Sequence, residues 1–260
     1  MQALQYPFNT AITTKFPLIN AVLENLQDGK VFGEESGRGG TYIINKAAFS
    51  YLKNSTESNY NQILNFLVIT NEMPAYFHVY DPPAAFLDAC NGNDDVNIKI
   101  RTRIQLKFLK STISEIGLCI PENYSVQKID EHNFNSLAVF NLSLENKFWS
   151  SKEDFVKNSF GYFVCDENKL PVSICYAACI VNNTAEIDVA TLPEHQKKGL
   201  AKLAVAAFID NCIRHNIIAN WDCFEDNYGS LRTAESIGFS NVMIYRFLSI
   251  FNKRKKYETH

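Results

Sequence analysis

The sequence predicts an α/β (α+β) protein of two parts, a smaller α/β domain over residues 1–120 followed by a second domain over residues 121–260. Three observations carry this reading. A strand-helix-strand rhythm runs up to a seam near Cys119 to Asn123. Past the seam, apolar runs at Gly161 to Cys165, Val172 to Val181 and Ala185 to Thr191 are joined by short polar turns, as in consecutive hairpins. After them Leu200, Leu203, Ala204, Ala207, Phe208 and Cys212 recur at three- and four-residue spacing, the stripe of an amphipathic helix.

Each element follows from its local pattern. Pro17 to Leu26 has helical spacing at Leu18, Val22 and Leu26, and Gly29 stands where a stop is expected. Thr41 to Ile44 reads as extended, Tyr60 to Val68 as helical through Ile63, Leu64 and Leu67, and Tyr76 to Tyr80 as extended until Pro82 and Pro83 break it. Ile98, Ile100, Ile104 and Leu106 alternate with Lys99, Arg101, Arg103, Gln105 and Lys107, so Ile98 to Leu109 is a strand buried on one face. In the second part Tyr124 to Ile129 forms a strand and Glu131 to Leu142 a helix or helical turn. Ser150 with Glu153 makes a capping box for a short helix through Asn158. Asp166 to Lys169 and Asn182-Asn183 turn the hairpins, Pro193 ends the last of their strands, Ile217 to Trp221 is the next strand, and a final helix from Asn227 stops at Gly238.

Composition bounds the function. With 46% apolar and 20% charged residues the chain is globular. A formal net charge of −3 argues against binding a nucleic-acid backbone, which needs a basic face, and Lys253 to Lys256 read as a solvated tail. The amino terminus carries no secretory signal and no apolar run is long enough to span a bilayer, so a cytoplasmic protein without a membrane partner is expected. Seven cysteines without a C-x-x-C pair are expected as reduced core residues; Cys175 and Cys179 lie in a strand run where their spacing sends both inward, and no metal centre is expected. Gly37, Gly39 and Gly40 form a turn, since they lack the Gly-Lys-Ser/Thr ending of a phosphate loop.

The segment with chemical content is Glu194 to Ala201. A helix starting at Gly199, Leu200 and Ala201 directs unpaired amides and a partial positive charge outward, a place for phosphate. Small residues at Gly199 and Ala201 keep side chains away from those amides, while Gln196, Lys197 and Lys198 add donors and charge.

Gln196-Lys-Lys-Gly199-Leu-Ala201 resembles the Gln/Arg-x-x-Gly-x-Gly/Ala signature of GNAT acetyltransferases, and Asn227, Ser230, Leu231, Ala234, Gly238 and Phe239 resemble that family's following helix. The wider pattern, from Pro121-Glu-Asn-Tyr124 through Phe155, Gly161, Glu186 to Thr191, Trp221-Asp222 and Phe239, is similar to the zwittermicin A resistance-type acetyltransferases, whose members also carry an amino-terminal α/β segment. The resemblance implies a mixed, mostly antiparallel sheet flanked by helices. It implies acetyl-CoA as cosubstrate, its diphosphate on Gln196 to Ala201, its thioester along Val189, Ala190 and Thr191, and its pantetheine arm near Asn227 and Ser230. For Asn227 the residues alone equally allow a helix cap.

The implied reaction is direct attack by a small-molecule primary amine, with a backbone amide near Val189 or Ala190 binding the thioester oxygen. A base or a water relay must take a proton from the amine; as base Glu186 is favoured and Asp188 is second, the two sharing a strand face. A carboxylate that merely binds the amine or makes a salt bridge is the competing reading for either residue. His195 reads as a solvated loop residue and Cys223 as packing. Where many relatives place a tyrosine to protonate the departing thiolate this chain has Ala234, leaving Tyr228, Ser230, water or an unprotonated thiolate. An acyl-CoA sensor that has lost catalysis and a protein acetyltransferase are the alternative functions, and a homodimer is an open arrangement.

Overall fold

The computed structural model describes residues 1–5, 12–33, 40–53, 59–113 and 120–255. Gly37, Gly39, Cys119 and Lys256, singled out above, lie outside the described residues. Two compact units emerge: Met1–Arg103 with Tyr245–His260, and Ile104–Ile244.

The first unit contains β1 (Gln2–Ala3), α1 (Pro17–Leu23), β2 (Gly29–Gly33), β3 (Thr41–Asn45), β4 (Phe49–Lys53), α2 (Tyr60–Ile69), β5 (Tyr76–Tyr80), α3 (Ala84–Asn91) and the start of β6 (Val96–Phe108). β1 to β4 pair antiparallel in succession and β4 pairs with β5 in parallel. The core joins Phe32, Tyr42, Phe77 and Val79 of the strands to Leu64, Leu67, Phe86 and Leu87 of α2 and α3. Helix α1 ends at Leu23, short of the predicted Leu26, because Asn25 turns left-handed (φ 55°). Pro83, read as a breaker, directly precedes α3, the end of a helix where proline is tolerated.

The boundary at 103/104 falls inside β6, not at the change of rhythm near residue 120. The two ends of β6 serve different cores: Val96 and Ile98 pack in the first, whereas Ile104, Leu106 and Phe108 belong to the second.

The second unit continues with β7 (Ser125–Lys128), a 3₁₀ turn at Phe134–Phe140, α4 (Leu144–Lys147), α5 (Lys152–Asn158), β8 (Gly161–Cys165), β9 (Pro171–Val181), β10 (Thr184–Thr191), a 3₁₀ turn at Pro193–His195, α6 (Leu200–Arg214), β11 (Ile218–Phe224), α7 (Tyr228–Ile237) and the start of β12 (Ser240–Asn252). Its strands lie in the order β6-β11-β10-β9-β8-β7. The β7, β8, β9 and β10 pairings are antiparallel and β10 pairs with β11 in parallel, so the sheet is mixed and mostly antiparallel, as expected. Helix α6 packs its stripe, Leu200, Leu203, Ala204, Phe208 and Cys212, onto Ala177, Ala185, Ile187 and Ala219. The predicted capping box shifts by one residue: Ser151 caps α5 by accepting from the Asp154 N–H at 3.1 Å, and Asp154 in turn accepts from the Ser150 N–H at 3.0 Å.

Two further expectations change. Ala178 is an extra residue in β9, because Glu186 pairs with Cys179 but Ile187 with Ala177. Cys175 and Cys179 are both buried, yet this bulge sends them to opposite faces of the sheet; only Cys175 enters the core under α6. Nor is the basic run simply solvated: Arg254 pairs with Asp95 at 2.6 Å, and the Lys253 and Lys255 ammonium groups donate to the carbonyls of Asp94 and of Thr70 and Met73. Thr70 ends α2, where the helix dipole draws a cation. Among the described residues no helix is long and apolar enough to cross a membrane.

Candidate active site

The site begins where two strands part. The parallel ladder between β10 and β11 consists of Thr184–Ile218, Ala185–Ala219 and Glu186–Asn220, and goes no further. Beyond it, Ile187 to Thr191 keep their pairing with β9 alone. The Val189 N–H bonds the Asp188 Oδ1 at 3.1 Å, and strand alternation turns the Thr191 amide to the same edge.

That opening leads to the start of α6. Lys197 and Gly199 adopt left-handed backbone (φ 61° and 79°), which swings the chain from the Pro193–His195 turn into the helix. No side chain caps α6, and the first amides of a helix have no acceptor within it. A side-chain carbon added to Gly199 would meet nothing within 4 Å, so the glycine faces open space. Gln196 braces the turn by donating from Nε2 to the Thr191 carbonyl at 3.2 Å.

A cavity of about 680 Å³ lies here. Of the residues expected to hold a cosubstrate, Val189, Ala190, Thr191, Gln196, Lys197, Gly199, Leu200, Ala201, Asn227 and Ser230 line it; Lys198 does not. His195 and Trp221 line it too, with Lys202, Gly229 and Thr233, which the motifs did not single out. His195 is more than a solvated loop residue: its ring stands edge-on to Tyr124 with Nδ1 3.4 Å from the phenol oxygen. Asn227 caps α7, accepting from the Ser230 N–H at 3.1 Å, and the Trp221 indole donates to the Ser230 Oγ at 3.0 Å. Tyr228 is 67% exposed and absent from the lining, while Ala234 is fully buried in the core.

The two carboxylates sit on the other face of β10 from the α6 core, which takes its neighbours Ile187 and Val189. Glu186, at the last rung before the strands part, is 8% exposed and accepts from Asn220 Nδ2 at 2.5 Å. Asn220 Oδ1 is buried without a hydrogen-bond partner among the described residues. Asp188 is heavily engaged: Oδ2 accepts from the Tyr176 hydroxyl at 2.7 Å and from the Lys147 ammonium at 2.8 Å, besides the Val189 amide on Oδ1. Burial, followed by the nearby Asp188 charge, holds the Tyr176 phenol well above the usual tyrosine range, so it stays a neutral donor. Burial does the same to Cys179, with Glu186 adding to it, and to Cys175; neither thiol is a nucleophile in this state. Among the described residues no group of His, Cys, Asp and Glu stands where it could hold a metal ion.

Asn220, Lys147 and Tyr176 were not anticipated. Asn220 meets Glu186 only through the strand register, and Lys147 lies 41 residues from Asp188.

Comparisons with known proteins agree on one family. The sequence model described as GNAT acetyltransferase matches residues 13–248. The uncharacterized N-acetyltransferase YdfB of Bacillus subtilis (strain 168) is 31% identical over 154 residues, 58% of this chain; the match spans little more than half of that relative's length, 57%. A GCN5-related N-acetyltransferase-like protein from Streptococcus suis has a similar structure, with TM-score 0.72 and 18% identity over 90% of this chain and 92% of that one. A tandem GNAT protein from the clavulanic acid biosynthesis pathway aligns with TM-score 0.58 and 11% identity over 86% of this chain and 82% of that one.

Proposed function

The chain belongs to the GNAT acetyltransferase family, and from that premise we propose that it transfers the acetyl group of acetyl-CoA to a primary amine of a small molecule by direct attack, both reactants being held in the second unit. The observation carrying this reading is the end of the β10–β11 ladder at Glu186 and Asn220, which opens into a cavity that reaches the uncapped start of α6. Bound acetyl-CoA supplies an activated acyl thioester; the remaining work belongs to this chain.

The amides of Gly199 to Ala201, with Lys197, Lys198 and Lys202 nearby, suit a diphosphate. Of the amides on the edge released from β11, that of Val189 is taken by Asp188, so the Thr191 amide is the one that suits a carbonyl oxygen gaining negative charge. Glu186 is the base for the amine proton, and Asn220 orients it from the facing strand. Ser230 is the acid. Its Oγ accepts from Trp221, which leaves its own proton to give, whereas the Thr233 hydroxyl is spent on the Gly229 carbonyl at 2.8 Å and Tyr228 is turned away. The resemblance to zwittermicin A resistance-type acetyltransferases favours a small-molecule acceptor over a protein lysine.

The test is a panel of primary amines with acetyl-CoA, following free thiol. Amine-dependent thiol release that disappears in Glu186→Gln supports the reading; failure of acetyl-CoA to bind at all would refute it.

A further inference from the structure

Resting on the acetyl-transfer reading, a further inference concerns the acceptor. Asp188 receives three donors, and they differ in how firmly they are built in. Tyr176 is fully buried in β9, and its neighbour across the ladder, Gly161, has no room for a side chain: an added carbon would lie 2.8 Å from the Tyr176 Cβ. The second donor is the backbone amide of Val189. Both belong to the sheet and cannot leave without breaking it. The third is the ammonium of Lys147, at the end of the single-turn helix α4, on a flexible four-carbon stem. Just beyond it the chain is pinned by Trp149, whose indole donates to the Ala177 carbonyl at 3.2 Å. Lys147 and Asp188 are 36% and 28% exposed, so this donor has access to solvent and can swing away from Asp188.

We propose that Asp188, held by Tyr176 and Val189, is the binding site for the acceptor's ammonium, and that Lys147 is a resident occupant which the acceptor displaces. Removing Lys147 leaves a carboxylate with two neutral donors, a site that demands a cation. Its ligand class is an aliphatic primary ammonium, not a hydroxyl or a neutral aromatic amine. Exchange is cheap, because one ammonium replaces another and a partly exposed ion pair holds its partner by no more than about fivefold. An acceptor bound there lies beside the Val189 amide and on the face of β10 that also carries Glu186, where its proton can be taken. Asp188 is on this account an anchor and Glu186 the base.

The probe is n-butylammonium chloride, which reproduces the lysine stem and head group, with n-butanol and sodium chloride as neutral and ionic-strength controls. In protein with isotope-labelled lysine, the Lys147 ε-CH₂ resonance, assigned by its loss in Lys147→Met, should move saturably toward that of a free lysine with n-butylammonium and not with either control. In Asp188→Asn it should start near the free position and stay there. Lys147→Met should bind n-butylammonium up to about fivefold more tightly, read at the Val189 amide. A Lys147 resonance unmoved by n-butylammonium, or moved equally by sodium chloride, overturns the proposal, and the wild-type titration decides this even if a variant fails to fold. Acetyl-CoA binding measured on the same samples separates the two levels: normal binding with an unresponsive Lys147 sinks only this inference, whereas no binding sinks the acetyl-transfer reading itself.

Discussion

Substitution of Gly199 separates backbone strain from ligand repulsion. The residue is left-handed at φ 79° and a side-chain carbon there touches nothing, so Gly199→Ala has a cost of conformation without a clash, about 1–2 kcal/mol. For a chain of this size that corresponds to a fall in Tm of about 2–8 °C. Gly199→Glu has the same backbone cost and adds a carboxylate at the start of α6, where a bound diphosphate would come within about 4 Å. Repulsion at that distance is about 4 kcal/mol at an effective dielectric of 20 and about 1 kcal/mol in bulk water, so CoA affinity should fall between about fivefold and about 10³-fold. Calorimetric titration of CoA, beside thermal unfolding of both variants, reads the two effects separately. A Tm loss in Gly199→Glu no larger than that in Gly199→Ala, with CoA binding weakened mainly in Gly199→Glu, is expected. A folded Gly199→Glu protein with wild-type CoA affinity would refute the assignment of this turn to the diphosphate.

Other outcomes follow from the same geometry. Glu186→Gln keeps an oxygen for Asn220 and so should fold normally, yet lose about 10²–10⁴-fold in kcat; a retained rate and pH profile would remove Glu186 as the base. Ser230→Ala should lower kcat by about 10²-fold and leave the KM for acetyl-CoA nearly unchanged, since the Asn227 cap uses the Ser230 backbone; an equal rise in KM would assign Ser230 to binding instead. His78, half-buried among rings and near Arg103 and Arg101, has its pKa lowered to about 4, with desolvation the larger cause. The folded protein therefore resists a proton that the unfolded chain accepts below about pH 6.5, and stability should fall as pH drops from about 6.5 to 4, by about 2–3 kcal/mol in all. Urea unfolding across that range should show a shallower slope in His78→Phe, and an unchanged slope would mean that another group carries the effect.

What could be read from the sequence was whatever short-range chemistry dictates. The α6 stripe, the glycine at its start, the hairpin turns and the Asn227 cap each depend on residues within a turn or two of one another. Even so, local signals blurred by a residue where two candidates stood side by side, as with Ser150 and Ser151 before α5. Strand β2 went unread because Gly29 and Gly33 at its two ends look like turn residues, and β4 because its Phe-Ser-Tyr-Leu-Lys stretch runs straight into a polar segment. Pro82 and Pro83 end the extended run at Tyr80 as read, but the helix that starts directly after them, α3, went unread.

The face of β10 that carries the two carboxylates was beyond local reading for a different reason. Which partners Glu186 and Asp188 meet depends on register, and register depends on where β9 inserts Ala178 and where β11 leaves the ladder. Sequence spacing makes the two carboxylates equivalent, two residues apart on one strand. Pairing makes them different: Asn220 faces Glu186 at the last rung, with room for one further donor on its Oδ1, while Tyr176, Val189 and Lys147 converge on Asp188. A carboxylate already surrounded by three donors is a poor proton acceptor and a good cation holder. Glu186, which faces the Asn220 amide at the last rung of the ladder, is the one proposed to take a proton. The proposed division of labour between the two residues therefore rests on long-range pairing, and exchanging the amide donor, as in Asn220→Leu, should disturb the pH profile of acetyl transfer and leave the Lys147–Asp188 pair intact.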